Sequence, residues 1–244
     1  MSSREKDLEN VHITDNTYFM GLIHLEDGNI LEALKSFTKY LRQSQAKLGW
    51  YHPHVAIVLN NIGELYFDQH YYQKALHFFR CSLQVREYVC GEGHVDIFNN
   101  LCSIGECLQK MGEERNAVIV YKKALQNKHT LPGKIDIEAI CIMYIIIRIY
   151  NNLGDLDNSL EMCRTILRAE MSQNEHRHVL VSRTINIIGT IYMEKGLVAE
   201  AIRAFSHAAR ICGDVCPMEF DSDAVSLAIT QQFLSRQFLC AGAA

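Results

Sequence analysis

The chain repeats itself every 42 residues, and this period constrains the fold more than any other feature of the sequence. Glycine stands at positions 21, 63, 105 and 189, so the steps are 42, 42 and 84 residues, and Ile147 occupies the missing position. A period between about 20 and 50 residues is typical of stacked repeat units, which bury one continuous core between neighbours. Two further columns keep the period, a small residue and then, in most units, an aromatic residue four positions later. They are Ala33, Ala75, Ala117, Ser159 and Ala201, followed by Phe37, Phe79, Tyr121, Cys163 and Phe205.

Apolar spacing indicates that each unit is a pair of helices. Apolar residues recur at i, i+3 and i+4 over long stretches, and the 244 residues include only three prolines. The first glycine column lies inside the first helix, where a neighbouring helix can approach closely. A second column, glycine at 28, 112, 154 and 196 with His70 at the skipped position, stands where the first helix ends in a left-handed residue. We expect helix pairs at 14–27 and 30–46, 56–69 and 72–89, 98–111 and 114–129, 140–153 and 156–171, and 182–195 and 198–212.

The helix pairs divide the chain into an array with two distinct ends. Residues 1–13 are polar, and we expect them to form a flexible N-terminal segment. The amphipathic segment 223–239 is expected to be a capping helix or the start of a sixth unit, and residues 240–244 a frayed end. Residues 14–222 between them form the five predicted units, 14–55, 56–97, 98–139, 140–181 and 182–222.

The columns resemble the pattern of tetratricopeptide repeats. That pattern has a small residue in the first helix, Tyr or a similar residue three positions later (Tyr66, Tyr150 and Tyr192), glycine before the second helix, then Ala followed by Phe or Tyr. The resemblance implies an all-α fold, a right-handed superhelical solenoid of about five helical hairpins plus a C-terminal capping helix. The period and the segment 52–63, HPHVAIVLNNIG, are similar to the kinesin light chain subtype. Kinesin light chains carry a long heptad segment before the repeats, whereas 13 residues precede them here, so we do not expect a kinesin subunit.

The resemblance also implies a concave groove lined by the first helix of each hairpin. In this family the second, fifth, ninth, twelfth and thirteenth positions of that helix face the groove. Asn60 and Asn186 share the fifth position, and an amide both donates and accepts hydrogen bonds, which suits an extended peptide backbone. Solvated asparagines on a helix surface are the alternative. The predicted groove residues are Tyr18, Asn60, Glu64, Phe67, Glu106, Tyr144, Arg148, Asn151, Asn152, Arg183 and Asn186.

Charge along the predicted groove changes sign. Arg148 and Arg183 lie in the later units and acidic residues in the earlier ones, so a ligand with basic residues at one end would be complementary. Scattered surface charge is the alternative explanation. One subgroup of the family binds a partner's C-terminal carboxylate with a Lys and Asn clamp, which is absent here because Tyr18 and Leu22 hold its first positions. The acidic residues are Asp15, Glu26, Glu64, Asp68 and Glu106.

Composition and motifs exclude most other functions. The net charge of −4 gives no basic excess for binding nucleic acid. The most apolar run, 140–147, has eight residues, against about 20 needed to cross a bilayer, so we expect no membrane insertion. Nine cysteines without a C-x-x-C pair or a secretion signal indicate reduced thiols and a cytoplasmic location. The sequence has no nucleotide-binding, hydrolase or zinc-protease motif, so we expect no catalysis, cofactor or metal.

Histidine recurs in the linkers between units. His52, His94 and His178 share one repeat position, and Asp136 takes their place in the fourth unit. This regularity indicates a structural role, a hydrogen bond to the amino end of the next helix, rather than catalysis.

These observations favour a non-catalytic scaffold or adaptor, a monomer or part of a hetero-complex, that binds a peptide segment of a protein partner in the concave groove. The alternative is a structural subunit of a larger complex, docking through its outer face or its C-terminal helix. A regulator whose superhelix changes pitch on binding a peptide is the third possibility.

Overall fold

The structure, a computed structural model, describes residues 16–91, 93–128, 137–172 and 178–215. Within these ranges the secondary structure consists of ten α-helices and no strand, so the predicted all-α class is confirmed. The helices are α1 (Thr17–Glu26), α2 (Ile30–Leu48), α3 (Pro53–Asp68), α4 (Tyr72–Cys90), α5 (Val95–Lys110), α6 (Glu114–Asn127), α7 (Ile137–Asn152), α8 (Leu156–Ser172), α9 (His178–Glu194) and α10 (Val198–Val215).

The helices pack as five hairpins, α1 with α2, α3 with α4, α5 with α6, α7 with α8 and α9 with α10. The chain divides into two compact units, Met1–His129 and Thr130–Ala244. In the first unit α2 also packs on α3 and α4 on α5, and in the second unit α8 packs on α9. Each hairpin therefore buries its apolar faces against its neighbours within the unit, as expected for stacked repeats.

In the second to fifth hairpins the first helix begins earlier than the sequence pattern predicts, whereas α1, predicted to start at 14, begins at Thr17. We expect starts at 56, 98, 140 and 182, whereas the helices begin at Pro53, Val95, Ile137 and His178. The reason is capping in the linker. Nδ1 of His52 accepts a hydrogen bond from the backbone N–H of His54 at 3.3 Å, and Nδ1 of His94 accepts one from Asp96 at 3.2 Å. Proline at the first position of α3 adds to this start, because its missing N–H has no partner there anyway.

The capping role predicted for the linker histidines is thus confirmed for the second and third hairpins. Asp136 and the side chain of His178, to which the same prediction applies, lie outside the described residues. The predicted N-terminal segment 1–13, the groove candidate Asp15, the helix 223–239 and the end 240–244 lie outside them as well.

The turn inside each hairpin contains a residue in the left-handed region, as the second glycine column predicts. Four of the five turns use glycine, and the turn between α3 and α4 places His70 there with a φ of 63°. A side chain in this conformation is strained, because its Cβ approaches the neighbouring carbonyl oxygen. The Tyr72 hydroxyl lies 3.0 Å from Nδ1 of His70, a hydrogen bond that offsets part of the strain.

The two helices of a hairpin meet at a contact between glycine and an aromatic ring. A Cβ added to Gly63 would lie 2.7 Å from the ring of Phe79, and one added to Gly105 would lie 2.5 Å from the ring of Tyr121. The close approach predicted from the first glycine column is therefore confirmed. Gly21 with Phe37 and Gly189 with Phe205 repeat the contact.

The fourth hairpin replaces this contact with a different pair. Ile147 stands where the others have glycine and is 2% exposed, while Cys163 stands where the others have the ring and is 0% exposed. The Ser159 hydroxyl, in the small-residue column, donates to the carbonyl oxygen of Ile147 at 3.5 Å. Loss of the glycine and loss of the ring thus compensate each other in volume.

Candidate functional site

The predicted groove residues lie on the first helices of the hairpins, α1, α3 and α5 in the first unit and α7 and α9 in the second. We call the surface formed by the groove positions of α1, α3 and α5 the acidic face, and that of α7 and α9 the arginine face. Each face is described by itself below.

We count positions from the predicted helix starts here and below. In the first, second and fourth hairpins, the fifth position of the first helix forms a hydrogen bond to the next first helix. In the acidic face, Nδ2 of Asn61 donates to the Tyr18 hydroxyl at 3.1 Å, and Nδ2 of Asn100 donates to Oδ1 of Asn60 at 3.2 Å. In the arginine face, the hydroxyls of Tyr144 and Thr184 are hydrogen-bonded at 2.7 Å. Tyr18, Asn60 and Tyr144, which the sequence suggests as ligand contacts, thus also hold consecutive hairpins together.

Tyr18 is engaged mainly in packing. Its ring centroid lies 5.7 Å from that of Phe37 and 5.3 Å from that of Tyr40, so the ring extends the aromatic core of the first hairpin. Its hydroxyl, which accepts from Asn61, is the polar part left at the surface of α1. Tyr18 therefore shapes one end of the acidic face.

Asn60 is a fixed amide with unused hydrogen-bonding capacity. It accepts from Asn100, and its Nδ2 donates to Oε1 of Glu64 at 2.7 Å. An asparagine side chain offers two N–H donors and two acceptor lone pairs. Among the described residues, one N–H and one lone pair of Asn60 therefore stay available beyond these two bonds, on a side chain that is half-buried and oriented from both sides.

Glu64 and Glu106 are surface carboxylates whose environment differs from bulk water. Partial burial between the helices raises the pKa of Glu64, and the nearby Asp68 adds to this rise, against the opposing effects of the Asn60 hydrogen bond and Arg86. Burial likewise raises the pKa of Glu106, opposed by the charge of Lys110. Arg86 donates from Nη1 to the carbonyl oxygen of Asp96 at 2.7 Å, so its guanidinium ties α4 to α5.

Phe67 lies at the end of the acidic face. It is half-buried, and its ring meets that of Tyr72 edge to face with centroids 5.4 Å apart. The ring adds apolar surface beside the carboxylates, of the kind that an apolar ligand side chain would contact.

The arginine face carries two cations, one of which contacts Tyr144. The guanidinium of Arg183 lies 4.9 Å from the centre of the Tyr144 ring, a cation–π contact, and Arg148 is exposed on α7. Burial raises the pKa of Tyr144, although its hydrogen bond to Thr184 and the charge of Arg183 lower it.

Three asparagines complete the arginine face. Asn186 and Asn152 are exposed, and Asn151 is half-buried with its Oδ1 unbonded among the described residues. A shallow cavity of about 380 Å³ brings the arginine and one amide together; it is lined by Val179, Ser182, Arg183, Asn186, Ile187, Thr190 and Phe205.

Asn100 is a site residue that the groove register misses, because it occupies the third position of its helix rather than the fifth. It is 1% exposed, and its Oδ1 is buried without a hydrogen-bond partner among the described residues. Such an unpartnered buried group costs about 1–3 kcal/mol. The equivalent positions hold Asn16, Val58, Ile142 and Thr184, so this column mixes polar and apolar residues and gives no signal that singles Asn100 out.

Other kinds of site find little support in the described part of the chain. It contains no group of three His, Cys, Asp or Glu side chains arranged to hold a metal ion. Nor does any of its helices combine the length and apolar character needed to cross a membrane.

Comparison with known proteins identifies the architecture. The model of the tetratricopeptide repeat family matches residues 13–87 and again 54–128. No curated protein sequence matches the chain.

Three solved structures illustrate the fold that this chain shares with known proteins. BtubC (BKLC) from P. vanneervenii is 16% identical with a TM-score of 0.63, covering 89% of this chain and 88% of its own. A structure from Podosopora anserina contains nearly identical TPR-like repeats of a chain assigned as a kinesin light chain. Its sequence is 13% identical to this chain with a TM-score of 0.65, and the match covers 83% of this chain and 96% of its own. YrrB, described as a TPR protein with an unusual peptide-binding site, is 16% identical with a TM-score of 0.53, covering 95% and 98%. With repeated glycine, small and aromatic columns folded as helical hairpins, residues 13–128 are repeats of the tetratricopeptide repeat family, and the solved structures share the fold of the chain.

Proposed function

We propose that this protein is a non-catalytic adaptor that binds an extended peptide segment of a protein partner along the first helices of its hairpins. The observation that carries the proposal is Asn60, whose amide is oriented by Asn100 and Glu64 and keeps one donor and one acceptor for a ligand. A peptide backbone presents one donor and one acceptor per residue, so an amide of this kind binds it without regard to sequence.

The two faces would supply specificity. Glu64 and Glu106 in the acidic face favour a basic ligand segment, and Arg148 and Arg183 in the arginine face favour an acidic one. Phe67 and Tyr144 add aromatic surface, which contributes contact area with little loss of conformational entropy. Asn151, Asn152 and Asn186 are the further polar contacts we propose.

The family and the free thiols support the remaining parts of the proposal, which concern catalysis and cellular location. Tetratricopeptide repeat proteins are generally interaction modules without catalysis, and YrrB is described as having a peptide-binding site. Free cysteines, including Cys81, Cys90 and Cys141, are compatible with a reducing compartment. We therefore place the adaptor in the cytoplasm, without a cofactor, acting as a monomer or within a hetero-complex.

Peptide display on the full chain tests the proposal. Random peptides enriched on the wild type are synthesised, and their affinities are compared for Asn186→Ala, Asn60→Ala and the control Asn116→Ala on α6. Each groove variant should weaken binding about tenfold, the effect of losing one or two peptide hydrogen bonds, while the control leaves it unchanged. Equal affinity for all four proteins would contradict groove binding.

Asn186→Ala is the cleaner of the two groove variants. Asn186 is exposed, so its truncation should leave the melting temperature unchanged. Asn60 bonds to Asn100 and Glu64, so Asn60→Ala should also cost about 1 kcal/mol of stability.

A structural subunit that docks through its second helices is the other candidate, favoured by one surface of α2. Its exposed side combines two leucines with cations around a shallow cavity of about 430 Å³, lined by Leu31, Leu34, Lys35, Thr38, Lys39, Arg42 and Gln43. Leu31→Asp removes the most exposed of these apolar groups. If α2 docks constitutively, sedimentation of the wild type should show a complex that Leu31→Asp dissociates, while peptide affinity is unchanged.

A further inference from the structure

Two carboxylates occupy equivalent places on neighbouring helices of the acidic face. Glu64 and Glu106 both stand at the ninth position of a first helix, on α3 and α5, and both are exposed. The hydrogen bond between Asn60 and Asn100 joins these helices within two turns of both carboxylates. The repeat therefore directs both carboxylates to the same face of the first unit.

The described residues around Glu64 and Glu106 leave most of the hydrogen-bonding capacity of both carboxylates unused. Glu64 accepts a hydrogen bond from Asn60, and among the described residues no donor to Glu106 is found. Arg86, the cation that acts on Glu64, gives a guanidinium N–H to the Asp96 carbonyl, and Lys110 acts on Glu106 through charge alone. An ionised carboxylate has about four acceptor sites, so both side chains can accept further donors.

The buried amide of Asn100 orients this site. The same position holds Val58 in the preceding hairpin, also 1% exposed, so packing there requires no polar group. The Asn100 amide donates to Asn60, which in turn donates to Glu64, and the Oδ1 of Asn100 has no donor among the described residues. A chain of donors thus runs from the core to the carboxylate and fixes its direction.

We propose that the acidic face selects peptides carrying a Lys or Arg side chain, whose cation binds between the carboxylates of Glu64 and Glu106. This inference rests on the peptide-binding function proposed above and names its ligand class. An ammonium supplies three N–H donors and a guanidinium five, which fits two carboxylates and the remaining lone pair of Asn60. Charge-assisted bonds of this kind are the stronger ones in proteins.

Peptide display tests the inference through composition. The full chain is used to select from a library of short random peptides, with Glu64→Gln/Glu106→Gln as a parallel bait. Peptides enriched on the wild type should carry Lys or Arg at a fixed position, and the variant should lose that preference. The control bait Glu32→Gln/Glu113→Gln removes the same charge from exposed sites on α2 and in the turn between α5 and α6, and it should keep the preference for Lys or Arg.

Affinity measurements on one enriched peptide complete the test. Fluorescence anisotropy should show the Glu64→Gln/Glu106→Gln protein binding at least about tenfold more weakly, the loss expected for charged hydrogen bonds, and the control protein binding within about twofold. Wild-type affinity should also fall with added salt. Replacing the basic residue of the peptide by norleucine should reproduce the loss for the wild type alone.

Asn100→Val separates positioning from folding. The variant copies the second hairpin at this site, so its melting temperature should hold or rise, whereas a merely structural asparagine would lower it. Its affinity for the basic peptide should fall, because Glu64 loses the orientation passed through Asn60.

The possible outcomes distinguish failure of this inference from failure of the proposed adaptor function. Enriched peptides that depend on Asn186 but lack a fixed basic residue would overturn the inference and leave the adaptor function standing. A selection that enriches no peptide dependent on Asn60 or Asn186 would overturn both.

Discussion

Cys163→Phe is the most direct test of how the hairpins pack. In the second and third hairpins, a β-carbon on Gly63 or Gly105 would lie 2.7 or 2.5 Å from the facing ring. Carbon atoms in contact normally lie about 3.5–4.0 Å apart, so a ring and a β-carbon at this place overlap by about 1 Å. In the fourth hairpin Ile147 carries a β-carbon, and the small Cys163 leaves room for it.

The free energy of unfolding should reveal this complementarity. Cys163→Phe alone overpacks the contact and should cost about 1–3 kcal/mol or more. Ile147→Gly alone should cost about 3–6 kcal/mol, because it removes a buried side chain and adds glycine to a helix interior. The double variant recreates the pair found in the other hairpins. It should lose at least about 2 kcal/mol less than the sum of the single changes.

Urea unfolding followed by far-UV circular dichroism measures these differences for the four proteins. Ile147→Gly combined with Tyr88→Ala, on the exposed end of α4, is the control pair, and its effects should add. If the losses of Ile147→Gly and Cys163→Phe also add, the complementarity between glycine and the ring is not what joins the two helices.

Two further changes test the linkers and turns. His70→Gly should raise the free energy of unfolding by roughly 1 kcal/mol, because glycine adopts the left-handed turn without strain, and an unchanged or lower urea midpoint would contradict this. Burial, followed by the charge of His54, lowers the pKa of His52 below its usual value of about 6.5. The unfolded chain therefore takes up the proton first, and the stability from the neutral cap is complete above about pH 6.5 and is lost as the pH falls toward the folded pKa. His52→Asn keeps a capping acceptor that does not titrate, so its urea midpoint should fall less than that of the wild type between about pH 7 and 5; parallel curves would refute the role of His52.

Features that repeat along the chain could be predicted from the sequence. The glycine, small-residue and aromatic columns locate the hairpins, and the second glycine column locates the turns, including His70. The starts of α3, α5, α7 and α9 were predicted three or four residues late. Apolar spacing alone does not show that His52 and His94 extend α3 and α5 backwards by capping them.

Contacts between hairpins could not be predicted in the same way. A column shows which residues are equivalent, but it does not show which residues face each other across two stacked helices. Asn60 meets Asn100 and Tyr144 meets Thr184 at a separation of 40 residues, two short of the repeat, because neighbouring helices are staggered. Asn100 therefore belongs to the candidate site because it bonds to Asn60, although the two residues occupy different positions of the repeat.

The hydrogen bond between Asn100 and Asn60 makes the proposed ligand site part of the contact between α3 and α5. Peptide binding at Asn60 and formation of this contact are then thermodynamically linked, so each changes the equilibrium constant of the other by the same factor. A peptide that tightens the pair slows the local opening of α5, and a peptide that competes for the Asn60 carbonyl speeds it. Hydrogen exchange of the amides in α5, a helix one hairpin away from Asn60, thus reports on occupancy, so the repeat array carries information between neighbours as well as a binding surface.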